Sequence, residues 1–251
     1  MSDTTSAERV LAILEMFGRE RRPLSLKELS EYCQIPSSTC HSLVQTLLKH
    51  SYLYNTGLRK DLYPTRKLYD IGVAIVTNDL ILQRIEPAMQ ALRESTRETI
   101  ILGKRHKDKI IYLEVLEGPQ TVRYSAKVGD SKPLHSTCIG KTILSGWPPE
   151  EVRRWLTEHP QEKITENTIT SYARLMDNLQ GSKKLGYFTT RGENVPDVSA
   201  IAVPLSINDE SFGLAVAGPS YRIDARFDEI LRELKAAQKI LVDQGIARLQ
   251  T

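Results

Sequence analysis

The spacing of apolar residues changes near residue 99, and this change constrains the fold more strongly than any other feature of the sequence. Before residue 99, apolar side chains recur at helical spacing over most of the sequence. After it come short runs typical of β-strands, separated by turn-forming residues. These runs lie at 99–106, 109–117, 121–128, 199–207 and 211–218, and segments of helical spacing lie at 136–147, 149–159, 171–186 and 224–249. The second part is therefore predicted to be an α+β domain, in which helices cover an antiparallel sheet.

The first 65 residues carry the pattern of a helix-turn-helix. Apolar residues from Val10 to Phe17 predict a first helix that ends near Gly18. A second helix is predicted from residue 25, and a short break at 34–36 separates it from a third. The predicted N-caps are Ser6 for the first helix, Ser25 with Glu28 as a capping box for the second, and Ser37 or Ser38 for the third. Two helices joined by so short a break are typical of a helix-turn-helix.

The third helix carries the side chains that would read DNA bases. In a helix-turn-helix, the second helix of the pair enters the major groove with its N-terminal residues toward the base edges. The candidates here are short and polar: Ser37, Ser38, Thr39, His41, Ser42 and Gln45. By themselves, these helices would also fit a small helical bundle with a solvated face.

Residues 52–65 predict a β-hairpin, or wing, beside these helices, with its turn at 55–57. Between residues 37 and 67, five basic residues stand against Asp61 alone, which is a local excess of four positive charges. Such a patch is compatible with phosphate binding, and a basic wing favours double-stranded DNA over the helical-bundle alternative. The candidate phosphate contacts are Lys49, Arg59, Lys60 and Arg66.

Residues 65–99 join the two parts and predict one or two long helices. So much apolar surface between domains is typical of a helix that packs against its twin in a dimer, and a dimer suits a protein that reads two half-sites. Packing of this surface on its own domain is the alternative. We predict a DNA-binding domain at 1–65, a linker helix at 66–80, and an effector-binding and oligomerisation domain at 81–251.

Composition narrows the class of protein. No apolar run reaches the roughly 18 residues that a membrane-spanning helix needs, and the polar start is unlike a signal peptide. We therefore expect a cytoplasmic protein. Cys33, Cys40 and Cys138 are too scattered for a disulfide framework or a zinc site, so neither a metal nor a cofactor is expected.

The triplet Gly140-Lys141-Thr142 has the same residues as the end of a nucleotide-binding P-loop, but His135 stands where such a loop needs its first glycine. His135 and Cys138 resemble a base and a nucleophile, yet the sequence identifies no third group to orient the base. We therefore expect no enzymatic activity. Two alternatives stay open: a small-molecule enzyme that uses His135, Cys138 and Lys141, and a dimeric interaction scaffold.

Several motifs together resemble the IclR family of bacterial transcriptional regulators, over nearly the whole chain. The stretch LSLKELSEYCQIPSSTCHSLVQTLLKHSYL is similar to the winged helix-turn-helix of the family, and VGDSKPLHSTCIGKTIL is the most specific match. The resemblance implies a winged helix-turn-helix, a linker helix, and a C-terminal effector domain with a curved, GAF-like antiparallel sheet flanked by helices. It also implies a repressor or an activator, of which we expect a repressor, that forms a homodimer or homotetramer and binds a small metabolite, often a carboxylate. One departure is Ser51, which stands where the family commonly has glycine before the wing.

The resemblance implies an effector pocket at the helix start within 133–144. Free backbone amides and the positive end of the helix dipole favour an anion there. Thr137 would cap the helix, and the amides of Cys138, Ile139 and Gly140 would bind the ligand; Lys141 is left as a surface residue or a dimer contact. Carried over by position, the further lining residues are Thr190, Ala200, Ala215 and Ala217, to which we add Tyr124. Because alanines leave room for apolar contact, we predict a carboxylate with an apolar or aromatic body.

Overall fold

The computed structural model describes residues 5–57 and 60–249. The chain divides into two compact units, the first ending at Asp79 and the second beginning at Leu80. Most of the predicted linker, 66–80, falls in the first unit. The functional division at 65 and 80 stays a prediction.

The first unit packs three helices against a small hairpin. The helices are α1 (Ser6–Glu20), α2 (Leu26–Tyr32) and α3 (Ser37–Lys49). Strands β1 (Leu53–Thr56) and β2 (Asp61–Pro64) are antiparallel, with Leu53 opposite Pro64 and Thr56 opposite Asp61. The core beneath them includes Ile13, Phe17, Leu29, Val44 and Leu62, all buried. This arrangement is the predicted winged helix-turn-helix.

Three local predictions in this unit are wrong. The N-cap of α1 is Thr5 rather than Ser6, because the Thr5 hydroxyl accepts the Glu8 amide and the Glu8 carboxylate accepts the Thr5 amide. The helix runs through Gly18 and ends where Arg21 takes a left-handed φ of 53°. The N-cap position of α3 is Pro36, and its side chain makes no capping hydrogen bond, so Ser37 and Ser38 are the first residues of the helix.

Two other details concern α2 and the wing. The capping box of Ser25 and Glu28 at the start of α2 is confirmed, with both reciprocal hydrogen bonds present. In the wing, Asn55 and Thr56 belong to β1 and pair with Leu62 and Asp61, so the turn begins later than predicted.

Helix α4 (Lys67–Val76) closes the first unit and buries none of its side chains. Its sequence is apolar, yet Tyr69, Ile75 and Val76 are each more than 60% exposed, at 62%, 66% and 64%. Its end is fixed locally, because the side chains of Thr77 and Asn78 bind the carbonyl oxygens of Val73 and Ala74. The join thus consists of two helices, α4 and the first helix of the second unit, α5 (Leu80–Thr96).

The second unit is a six-stranded antiparallel sheet with helices on both faces. Its strands are β3 (Thr99–His106), β4 (Lys109–Leu116), β5 (Ser131–Pro133), β6 (Phe188–Arg191), β7 (Val198–Ile207) and β8 (Glu210–Pro219), in the order β5-β4-β3-β8-β7-β6. One face packs against α5, α9 (Ser220–Ala225) and α10 (Phe227–Asp243). The other packs against α6 (Cys138–Leu144), α7 (Pro149–Glu158) and α8 (Tyr172–Leu185). The predicted α+β class, with its antiparallel sheet flanked by helices, is confirmed.

The strand prediction fails at one run and misses two short strands. Residues 121–128 form no strand; side chains hold them instead, since Arg123 and Ser125 bind the Glu117 carboxylate and Thr99 binds the Tyr124 carbonyl oxygen. Strand β5 lies just after this run and outside every predicted strand. Strand β6 and helix α9 have four and six residues, too few to show a period.

Candidate functional site

A cavity lies between α6 and the sheet of the second unit. Its empty volume is about 430 Å³, including space open to solvent. It brings together eight residues predicted for the effector pocket: Tyr124, Thr137, Cys138, Ile139, Thr190, Ala200, Ala215 and Ala217. It is also lined by Ile101, Tyr112, Ser136, Asn194, Val195 and Val198, which the sequence did not single out. The start of α6, one face of the sheet and the neighbouring loops thus meet around one hollow.

The alternation of side chains along β7 and β8 explains why the hollow exists. Ala200 and Ala215 point to the α6 face of the sheet, whereas Ile201 and Val216 point to the opposite face and pack in the core under α5 and α10. Large residues therefore fill one face, and small residues leave space on the other. A cavity with such walls suits a ligand with an apolar body.

The start of α6 is capped as predicted, but the cap uses one of the amides assigned to the ligand. Thr137 is the N-cap; its hydroxyl accepts the Gly140 amide at 3.1 Å and donates to the Pro133 carbonyl oxygen at 2.9 Å. Gly140 does not line the cavity either. The assignment of Gly140 to the effector is therefore wrong, because the cap already satisfies its donor. Cys138 and Ile139 do line the cavity.

Polar groups are spread around the apolar walls. The Asn194 side-chain amide donates to the Ser136 hydroxyl at 3.0 Å, linking the β6–β7 loop to the segment before α6. Burial raises the pKa of the Tyr112 and Tyr124 hydroxyls, so both keep their protons at neutral pH. Tyr112 could have been found from the sequence, because it alternates with the buried Ile110 on β4. Asn194 and Val195 stand in a loop and carry no such signal.

Lys141 is neither a surface residue nor an exposed dimer contact. Its side chain is 0% exposed, and its Nζ lies 2.6 Å from Oε1 of Glu193 and 3.3 Å from the carbonyl oxygen of Thr189. Burial lowers the pKa of Lys141 and raises the pKa of Glu193, while each charge opposes the shift of the other. The lysine of the Gly-Lys-Thr triplet is thus engaged inside the protein.

His135, Cys138 and Lys141 do not assemble as a nucleophile with its base. Nε2 of His135 lies 3.1 Å from the carbonyl oxygen of Glu162, and burial lowers the pKa of the imidazole. Burial also raises the pKa of the Cys138 thiol to about 12, so the thiolate needed for attack is scarce. Lys141 is held by Glu193. The arrangement offers walls and hydrogen-bonding groups to a ligand, rather than an activated nucleophile.

In the first unit, α3 presents most of the predicted base-reading side chains to solvent. Ser38, His41, Ser42 and Gln45 are exposed and follow helical spacing along one face. Ser37 is exposed and shares a hydrogen bond of 3.1 Å with Ser30 of α2. Thr39 is half-buried.

The predicted phosphate contacts are spread over three places. Lys49 is exposed at the end of α3, and Lys60 is exposed beside β2 with a left-handed φ of 55°. Arg66 is exposed at the start of α4, where it contacts Asp70 at 3.3 Å. Arg59 lies outside the described residues. The first unit thus carries cations at the end of α3, on the wing and at the start of α4.

The part of the chain that the structure describes lacks two other kinds of feature. Within residues 5–57 and 60–249, no cluster of three or more histidine, cysteine, aspartate or glutamate side chains is arranged to hold a metal ion. In the same ranges, no helix combines the length and the apolar character needed to cross a membrane.

Comparison with known proteins places both units. The family model for the C-terminal part of the bacterial transcriptional regulator IclR matches residues 73–242, and the model for the IclR helix-turn-helix domain matches residues 6–57. The HTH-type transcriptional regulator KdgR of Escherichia coli (strain K12) is 30% identical over 248 residues, which cover 96% of this chain and 93% of KdgR.

Two solved structures show the same fold. The IclR of Thermotoga maritima has a TM-score of 0.79 at 22% identity, over 93% of this chain and 96% of that one. An IclR homologue from Microbacterium hydrocarbonoxydans, crystallised in complex with 4-hydroxybenzoate, has a TM-score of 0.75 at 21% identity over the same shares.

Proposed function

The chain belongs to the IclR family of bacterial transcriptional regulators and carries the helix-turn-helix domain of that family; from this premise, we propose that it is an effector-controlled repressor. Its effector is a small carboxylate with an apolar or aromatic body, bound in the cavity beside α6. The observation that carries the proposal is the cavity lining, in which no residue has a charged side chain and three residues are alanines. Apolar walls with a few hydrogen-bonding groups are typical of small-molecule sites.

The ligand's two ends meet different surroundings in this proposal. Its body lies against Ala200, Ala215 and Ala217, where the wall offers only small apolar groups. Its carboxylate lies near the start of α6, where the amides of Cys138 and Ile139 and the nearby hydroxyls serve as donors. The complex of the Microbacterium relative with 4-hydroxybenzoate supports this choice, because that compound is an acid with an aromatic body.

The exposed face of α3 is proposed to enter the major groove of operator DNA, with His41 and Gln45 among the side chains toward the bases. Lys49, Arg59, Lys60 and Arg66 are proposed to contact phosphates. Two copies associate through α4, since that helix is apolar and buries none of its side chains within one chain. The assembly is a homodimer or homotetramer that acts in the cytoplasm and catalyses no reaction.

The proposed mechanism is a change in the placement of the two DNA-reading units when the effector binds. A ligand shifts such an equilibrium only if it binds the two states with different affinity. Operator affinity therefore changes by no more than the ratio of the effector affinities in the two states.

Two experiments test the proposal. Sequencing of genomic fragments that co-purify with the protein identifies the operator and the neighbouring operon. Calorimetric titration of the protein with benzoate and 4-hydroxybenzoate, against glyoxylate and a sugar acid, tests the effector class. We expect the aromatic acids to bind and Ala215→Leu to abolish their binding while leaving operator binding intact. Tight binding of glyoxylate or the sugar acid, with no response to aromatic acids, would contradict the proposed effector.

A further inference from the structure

One buried side chain ties together three elements that line the cavity. Lys141, on α6, binds the Thr189 carbonyl oxygen on β6 and the Glu193 carboxylate in the β6–β7 loop. The residues next to these partners, Thr190 and Asn194, line the cavity, as does Val195. The separation of α6 from the loop is therefore set where Lys141 meets Glu193.

The loop is held at its other side by segment 165–168. The Thr165 hydroxyl donates to the Gly192 carbonyl oxygen at 2.6 Å, and the Thr168 hydroxyl donates to that of Glu193 at 2.7 Å. These bonds fix the loop backbone to segment 165–168, not to α6. On the side facing α6, the loop is held by the hydrogen bond from Asn194 to Ser136 and by the ion pair of Glu193 with Lys141.

The ion pair keeps the loop in place because Glu193 is both charged and buried. Glu193 is 7% exposed, and its Oε2 has no hydrogen-bond partner among the described residues. Arg174 also acts electrostatically on the Glu193 carboxylate, but Lys141 is the cation hydrogen-bonded to it. A buried carboxylate that loses this partner is unfavourable, so Glu193 without Lys141 would take up a proton or move toward water. Movement toward water carries Asn194 and Val195 with it. A buried ion pair contributes little net stability compared with apolar side chains. We therefore interpret this pair as fixing the position of the loop, not as stabilising the fold.

We propose that Lys141 is the positioning residue of the cavity: through Glu193, it holds the β6–β7 loop, with Asn194 and Val195, against the start of α6. The claim that this placement serves an effector rests on the function proposed above. The placement itself does not, because it can be measured without a ligand.

Cys138 supplies the ligand-free measurement. Cys138 lines the cavity and is buried, whereas Cys33 and Cys40 lie in the first unit and serve as internal references. The full-length protein is treated with N-ethylmaleimide under native conditions, and labelling of each cysteine is followed by peptide mass spectrometry. Lys141→Met is expected to speed the labelling of Cys138 by about tenfold or more through local opening, with Cys33 and Cys40 unchanged.

The matched control removes another lysine of the same unit from its ion pair. Lys104 pairs with Glu210 and lies over the ring of Phe212, which packs in the core on the opposite face of the sheet. Lys104→Met is expected to leave the labelling of Cys138 at the wild-type rate. If Lys104→Met speeds it as much as Lys141→Met does, the effect is general loosening and the inference is wrong.

A double variant covers the case in which Lys141→Met does not fold. Lys141→Met with Glu193→Gln removes both charges. This variant therefore has no unpaired buried carboxylate, but it still lacks the ion pair that joins α6 to the β6–β7 loop. The inference requires Cys138 to be labelled faster in this variant too. Wild-type protection of Cys138 in a folded double variant would overturn the inference.

A titration with 4-hydroxybenzoate separates this inference from the proposed function. Weaker binding by the double variant than by wild-type protein supports both. If the wild-type protein binds no aromatic acid and yet Lys141→Met speeds the labelling of Cys138, the effector proposal fails and the positioning role stands. Equal affinity in both proteins, with Cys138 protected in both, rejects the positioning role alone.

Discussion

A Cβ atom placed on Gly140 would lie 2.1 Å from the carbonyl oxygen of Leu134 and 2.5 Å from its Cα. The backbone of α6 therefore approaches the segment before it more closely than any side chain allows. This contact explains why a glycine stands before Lys141 in a triplet that looks like the end of a P-loop. The glycine serves packing of protein on protein, and the lysine points to a carboxylate inside the protein.

Gly140→Ala is expected to lower the free energy of unfolding of the second unit by about 3 kcal/mol or more, because the Leu134 atoms that the new Cβ would meet belong to the backbone and cannot rotate away. Urea denaturation followed by tryptophan fluorescence measures this unit, in which both Trp147 and Trp155 lie. Gly181→Ala is the control: Gly181 lies in α8, and apart from the backbone of that helix no atom of the described residues lies within 4 Å of its Cβ position, so alanine there should add about 0.4–1 kcal/mol. Similar effects of the two substitutions would contradict this account of Gly140.

Long elements could be predicted from the sequence because their period repeats. The helix that contains Phe17 and the strands around Ile101 and Ala215 show several turns or alternations of apolar residues, and each lies close to its expected bounds. The run 121–128 alternates as a strand does, while its actual bonds go to the side chains of Glu117 and Thr99. Such bonds leave no period in the sequence.

Part of the cavity could also be predicted, because side chains alternate along the strands that line it. Ala200, Ala215 and Ala217 were reached by position in a resembling family, and their common face follows from strand alternation. The partner of Lys141 could not be reached this way, because Glu193 lies 52 residues further along the chain in a loop. The sequence leaves the Gly140 amide available to a ligand, because it does not show that the Thr137 hydroxyl accepts this amide.

The capping box of α2 predicts an acid-sensitive helix start. Hydrogen bonds from the Ser25 backbone and hydroxyl, and then from Arg22, lower the pKa of Glu28 from 4.5 to about 2. A lowered pKa in the folded state means that the stabilisation is present above pH 4.5 and is lost as the pH falls toward 2. Glu28→Gln should therefore speed amide hydrogen exchange in α2 relative to wild type above pH 4.5, and the difference should disappear near pH 2.

Glu31→Gln is the control for Glu28. Its carboxylate lies on the same helix and meets Lys27 at 3.9 Å on the exposed surface, where ion pairs contribute little. Exchange in α2 should scarcely change with this substitution. A Glu28→Gln effect that persists unchanged at the lowest pH would show that the carboxylate charge is not its cause.

Ser51 occupies a helix-ending position that favours glycine. Its φ is 58°, the Tyr52 amide donates to the Leu47 carbonyl oxygen, and the Ser51 amide donates to that of Leu48, which together form a Schellman motif. Ser51→Gly should raise the free energy of unfolding of the first unit by about 0.5–1 kcal/mol, the relief of left-handed strain less the backbone entropy of glycine. Thermal unfolding followed by circular dichroism measures the gain, and Ser51→Ala, which keeps the strain, should show none.

The exposed cations of the first unit predict how DNA binding responds to salt. Each lysine that meets a phosphate releases a counterion, so its removal lowers the slope of log K against log salt by about 1. Lys49→Ala and Lys60→Ala should each do so on random duplex DNA, measured by fluorescence anisotropy over a series of salt concentrations. Lys239→Ala is the control, since Lys239 is exposed on α10 of the second unit and should leave the slope unchanged. A wild-type slope near zero would instead favour a scaffold whose winged unit contacts protein. An equal loss of slope in all three variants would mean that the net charge of the protein, rather than α3 and the wing, sets the affinity for DNA.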